Sequence, residues 1–173
     1  MEAEAEAAVA VDVSETHDKD KDMIRYAKIQ DFDNIMQMMI NFANASPYAP
    51  LHDPQYDDGY IRNLLVNFMK DGAIIVGEKD GKLVGMLIAL IQGDNWLPHV
   101  KSMRELAWWV EPEYRNSTIG YRLLEKYKHL GVSLQQKGAI QGFTLTNMET
   151  SPNFDLEKRG WRRLETNYVY EGI

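Results

Sequence analysis

Residues Leu83 to Ile91 read LVGMLIALI, a nearly continuous apolar run. It is too short to cross a membrane, where about eighteen or more apolar residues are needed, and too uniformly apolar for a strand with one wet face. A strand of this kind needs cover on both faces, and the cover that a sheet ordinarily receives on both sides is helical. The stretch before it, AIIVGEKDGK, supplies an antiparallel neighbour, because Asp80-Gly81 suits a tight hairpin turn between two strands.

The rest of the chain provides the helices. Met23 onward, MIRYAKI, alternates apolar and polar side chains as a strand does, and Asp31 stands where it can cap a helix whose apolar positions are Ile35, Met38, Met39 and Phe42. A Pro-interrupted loop, NASPYAPLHDP, leads to a second helix that Gly72 is expected to close. SMRELAWWV reads as a strand ended by Pro112, and residues 119 to 134 carry Ile119, Leu123, Tyr127, Leu130 and Leu134 on one helical face. GAIQGFTLTN reads as a strand, PNFDLEKRG as a short helix ending at Gly160, and WRRLETNYVYEG as a last strand. The expected fold is a mixed α/β (α+β) domain in the order β-α-α-β-β-β-α-β-α-β, with helices on both faces of the sheet.

Charge separates the chain into two parts. Residues 1 to 22 hold eight acidic residues against two lysines, which accounts for −6 of the net charge of −7. They contain no large aromatic residue and read as a disordered acidic extension, leaving residues 23–173 as one nearly neutral domain. A nearly neutral domain lacks the basic footprint of a nucleic-acid binder. The 173 residues include no cysteine, so thiolate chemistry and disulfides are excluded, and His52, a lone loop histidine, has no second ligand at helpful spacing for a metal. With no membrane segment or signal peptide in sight, the expected setting is cytoplasmic.

Residues 108 to 121, WWVEPEYRNSTIGY, run from the end of a strand into the most periodic helix. The first N–H groups of that helix lack intrahelical acceptors and favour an anion by roughly 1–2 kcal/mol. Arg115 adds a fork for phosphate oxygens, Ser117 and Thr118 add hydroxyls, and Gly120 admits a bulky anion close to the backbone. A capped turn with Arg115 in solvent would read the same way.

This stretch, its order among the elements and the later LEKRGWRRLETNYVY resemble the GNAT family of N-acetyltransferases. Arg115 and Gly120 match that family's cofactor loop, with Thr118 where its first glycine usually stands. Glu157, Lys158, Gly160 and Trp161 match a second motif, with Leu156 in place of its tyrosine. The AWWV strand and the GW…E.NYV ending are also similar to phage-encoded members, for which the setting would be the host cytoplasm.

The resemblance implies a central, mostly antiparallel GNAT-like sheet and acetyl-CoA as co-substrate. Its pantetheine would lie along Trp108, Trp109 and Val110, and its pyrophosphate over Asn116, Ser117, Thr118, Ile119, Gly120 and Tyr121 beside Arg115. Asn147 stands where a polar cofactor contact is common, and equally where a turn amide would. Glu105 is the candidate base if the strand register turns it inward, and a surface partner of Arg104 or Lys101 otherwise. Leu156 removes the usual general acid; either Tyr114, Tyr168 or Tyr170 substitutes from elsewhere, or the thiolate leaves unassisted. The acceptor would be a small-molecule amine, a protein lysine or an N-terminus. Asp53, Asp57 and Asp58 with Tyr48 and Tyr56 offer a cationic amine charge and aromatic faces, and read also as a solvated acidic loop whose Asp57 and Asp58 favour a first helical turn. A homodimer paired through its sheets is common in that family and is not specified by this sequence. The alternatives are a non-catalytic acyl-CoA-binding module and, through KRGWRR, an acyltransferase that modifies nucleic acid.

Overall fold

The computed structural model describes residues 22–49, 56–149, 151–152 and 154–168. The acidic extension up to residue 21, the segment holding His52 and Asp53, and Tyr170 lie outside these residues. Five strands form one sheet in sequence order: β1 (Met23–Tyr26), β2 (Gly72–Lys79), β3 (Lys82–Gly93), β4 (Lys101–Val110) and β5 (Gly142–Thr144). The first four are antiparallel to their neighbours, and β5 runs parallel to β4. A parallel neighbour requires a crossover, and here it is α3 (Ile119–Gln136). The helices α1 (Phe32–Ala45) and α2 (Asp58–Asp71) connect β1 to β2.

The apolar run sits where its composition requires. Val84 to Ala89 are all buried in β3, at the centre of the sheet. Met86 and Ile88 pack with Phe32, Ile35 and Leu65 of α1 and α2. Leu87 and Ala89 pack with Ile119, Leu123 and Tyr127 of α3 on the opposite face. The β2–β3 turn has Asp80 and Gly81 both at positive φ, 50° and 75°, as a two-residue hairpin with right-handed strands demands.

Four local expectations are corrected. Asp31 does not cap α1 with its side chain. Its carboxylate instead accepts from Arg25 at 2.6 and 3.0 Å and from the Lys28 N–H, and the Arg25 guanidinium holds it below the usual carboxylate range. Gly72 does close α2 as its C-cap, but not in left-handed backbone: it is extended (φ −163°) as it opens β2, and glycine is needed because a Cβ there would lie 2.0 Å from the Ala89 carbonyl oxygen. The short helix expected before Gly160 is a single 3-10 turn, Glu157–Arg159, ended by Gly160 at φ 85°. Finally, residues 161–168 carry no strand. The chain leaves the sheet after Thr144, and residues 162–168 are exposed, without the burial that would hold them to an edge.

Candidate functional site

Two irregularities of β4 create the site. Against β3, Ile88 pairs with Ala107 and Ala89 with Glu105, so Leu106 is an extra residue on β4, a β-bulge. Before the bulge, Met103 faces the α3 side. After it, Ala107 and Trp109 face α1 and α2, while Trp108 and Val110 take the α3 side. On the other edge, β4 pairs with β5 only over Ser102–Arg104. From Glu105 to Val110 that edge has no strand beside it among the described residues.

The opening is a cleft of about 550 Å³. Glu105, Leu106, Trp108, Trp109 and Val110 form its floor. The end of α1 contributes Phe42, Ala43, Ala45, Ser46 and Tyr48 on one side. Arg115, Ser117, Gly120 and Tyr121 line it at the start of α3, and Thr146, Met148, Ser151, Pro152, Phe154 and Asn167 close the far wall.

Glu105 lies at the point where the two strands part. It is 5% exposed, and its Oε2 accepts the Thr146 N–H at 2.9 Å, taking the place of the strand acceptor that this N–H has lost. Burial pushes its carboxyl up to about 7, offset in part by the Thr146 bond. Tyr127 lies close by on α3, and its hydroxyl donates to Thr144 O at 2.6 Å. Burial, with the nearby Glu105 charge, raises that phenol above its ordinary value. The surface ion pair with Arg104 or Lys101 is therefore not the arrangement found.

The turn into α3 leaves a set of donors open. Among the described residues, the N–H groups of Asn116, Thr118, Gly120 and Tyr121 have no acceptor. Ser117 Oγ donates to Tyr114 O at 2.6 Å and accepts the Ile119 N–H at 3.3 Å, so its hydroxyl belongs to the turn. The Ile119 side chain is buried in the core, and neither part of Ile119 faces the cleft. Thr118 makes no side-chain cap. Arg115 neither floats in solvent nor points freely: its Nε donates to Val110 O at 3.0 Å, and its guanidinium lies 4.5 Å over the Trp109 ring. The fork is thereby fixed at the open edge of β4 with its terminal nitrogens unspent. A Cβ on Gly120 would meet Phe154 and Val110 at an ordinary 3.5 Å, so the protein's own packing does not demand glycine there. That Cβ would stand among residues that line the cleft.

Other expected residues are placed elsewhere. Asn147 is exposed and does not line the cleft; Thr146 and Met148 on either side do. Asp57 caps α2 by accepting the Tyr60 N–H at 2.8 Å, and neither Asp57 nor Asp58 lines the cleft. Tyr56 donates to Asn44 Oδ1. Of the tyrosines considered as proton donors, Tyr114 packs into the α3 side, Tyr168 is 94% exposed and Tyr170 lies outside the described residues; among the described residues, the tyrosines that line the cleft are instead Tyr48 and Tyr121. In KRGWRR, Lys158 pairs with Asp155 and Arg159 lies 4.4 Å over the Tyr121 ring, while Trp161 stacks on Tyr127. Sequence reasoning missed Leu106, Thr146 and Phe154. A bulge between two covered faces leaves burial alternating without a break, so hydropathy carries no sign of it. Among the described residues no group of three acidic or histidine side chains could hold a metal, and no helix is long and apolar enough to cross a membrane.

A family model described as Acetyltransferase (GNAT) family matches residues 36–151. The fold is similar to that of a possible acetyltransferase from Clostridium difficile 630 (TM-score 0.64, 21% identity, 88% of this chain and 98% of that one). It is also similar to an aminoglycoside acetyltransferase from an uncultured soil metagenomic sample in complex with sisomicin (TM-score 0.62, 12% identity, 87% and 95%). A third similar structure is a ribosomal-protein-alanine N-acetyltransferase from Brucella melitensis biovar Abortus 2308 (TM-score 0.57, 17% identity, 87% and 98%). No curated protein matches the chain.

Proposed function

Because the chain belongs to the GNAT acetyltransferase family, we propose that it transfers an acetyl group from acetyl-CoA to a primary amine by direct attack. The observation that carries this reading is the buried Glu105 carboxyl at the parting of β4 and β5, in the same cleft as the open start of α3.

Acetyl-CoA supplies the activated acyl group. The residues fit it by the chemistry of their donors: the free N–H groups of Asn116, Thr118, Gly120 and Tyr121 with the Arg115 fork suit a pyrophosphate. The edge of Trp108 to Val110, which has no strand beside it among the described residues and where Arg115 takes the Val110 carbonyl, suits a chain of amides, which can add to a sheet edge as a strand does. An amine attacks only when neutral. Glu105, with its carboxyl near 7, is ionised enough at neutral pH to take a proton and basic enough to hold it. Leu156 is outside the cleft lining, so no proton donor is assigned at that position.

Calorimetry with acetyl-CoA and a transfer assay test the reading. Glu105→Gln is expected to lower the transfer rate at least tenfold while leaving the acetyl-CoA Kd within twofold; a fall below threefold removes Glu105 from the chemistry. Thr118→Val is expected to weaken acetyl-CoA binding and Thr118→Ser to preserve it, since the Thr118 hydroxyl is not used as a cap and its own N–H is one of the open donors. No binding at about millimolar acetyl-CoA, where a weak complex still has roughly −4 kcal/mol, would end the proposal. The absence of a tyrosine at 156 favours one other reading, a module that binds acyl-CoA without transfer. Tight binding with no acetylated product for any amine would establish it.

A further inference from the structure

We propose that the acceptor is an amine carrying one positive charge beside an apolar or aromatic body, seated between the end of α1 and the bulge of β4. This rests on the transfer reading above and narrows its substrate class.

Phe42, Ala43, Ala45, Tyr48 and Leu106 line this side of the cleft, and they offer no charge. Ser46, the one small hydroxyl among them, is already spent: its Oγ donates to Ala43 O at 2.9 Å and accepts the Tyr48 N–H at 3.2 Å. Leu106 is there because the bulge inserts it, and it is 37% exposed although apolar. Among the described residues the cleft has two charged side chains, Glu105 and Arg115. Arg115 is held at the α3 end by Val110 O and Trp109, which leaves Glu105 as the single carboxylate of the lining among the described residues.

One carboxylate can partner one ammonium. A second or third ammonium, as polyamines and aminoglycosides carry, would have to be desolvated against aliphatic and aromatic side chains with no counter-charge. An aryl or alkyl group gains from the same lining, and the Tyr48 face adds attraction for the single charge. Of the acids that sequence placed near the acceptor, Asp57 and Asp58 stay outside the lining, and Asp53 lies outside the described residues.

The test compares kcat/KM for phenethylamine, a short peptide beginning with phenylalanine, spermidine and kanamycin, with acetyl-CoA binding measured on the same preparation. The first two present one ammonium next to a ring, and their ratio separates a free amine from a chain terminus as its source. Either should exceed spermidine and kanamycin at least tenfold. Leu106→Asp should narrow that preference by about tenfold through a second carboxylate. Ala45→Asp, at an exposed position on the same side, should act in the same direction and guards against a folding defect in the first variant. Preference for spermidine or kanamycin in a protein that binds acetyl-CoA would overturn this inference and leave the transfer reading standing. Absence of acetyl-CoA binding would overturn the transfer reading and this inference with it.

Discussion

Glu105 is held in a state that works against the fold. Its folded value of about 7 lies above the ordinary 4.5, so the folded protein keeps a proton that the unfolded chain releases between those values. Stability is therefore greatest below about pH 4.5 as far as this group is concerned. It falls as pH rises toward 7 and is flat above, a total on the order of 3 kcal/mol. Glu105→Gln keeps an acceptor for the Thr146 N–H and removes the charge. In urea unfolding it should match the parent near pH 4 and exceed it at pH 8; equal midpoint differences at the two pH values would contradict this account. The catalytic counterpart is a transfer rate that climbs with unit slope below about pH 7 and then levels. In the sequence, Glu105 could be named as a candidate and no more, because its direction depends on strand register, and its partner Thr146 is 41 residues away.

At the level of elements, the strands and helices up to α3 were legible because the apolar periodicity agrees with the layers: β3 is covered on both faces and α3 on one. The chain beyond β5 was not, since the aromatic alternation of its last residues resembles a strand whether or not an edge receives it. Trp161 instead stacks on Tyr127 at 6.4 Å and meets Phe143 edge-on at 5.3 Å. Gly131 of α3 belongs to that same packing, for a Cβ would lie 2.6 Å from the Phe143 ring. Alanine in mid-helix ordinarily gains about 1 kcal/mol over glycine, and overpacking of this kind costs about 1–3 kcal/mol. The second effect is larger, so Gly131→Ala should lower stability, measured by thermal or urea unfolding. A stabilised variant would mean that β5 and Phe143 yield more easily than the close approach suggests.

For the whole molecule, the cleft couples ligand binding to global stability, because its walls come from α1, β4, the start of α3 and the segment after β5. Acetyl-CoA at about a hundred times its Kd should stabilise the native state by about 2.7 kcal/mol, or roughly 5–10 °C in Tm for a chain of this length. An unchanged Tm would show that the nucleotide does not bind the native cleft. Removing Leu106 would restore plain alternation along β4, with Met103, Glu105, Trp108 and Val110 still on the α3 side and Ala107 and Trp109 still toward α1 and α2. Both hydrophobic layers would keep their members, while the strand would lose the kink beside which it parts from β5. A one-codon deletion should thus yield a folded protein with weakened acetyl-CoA affinity, separating the inheritance of the fold from that of its chemistry.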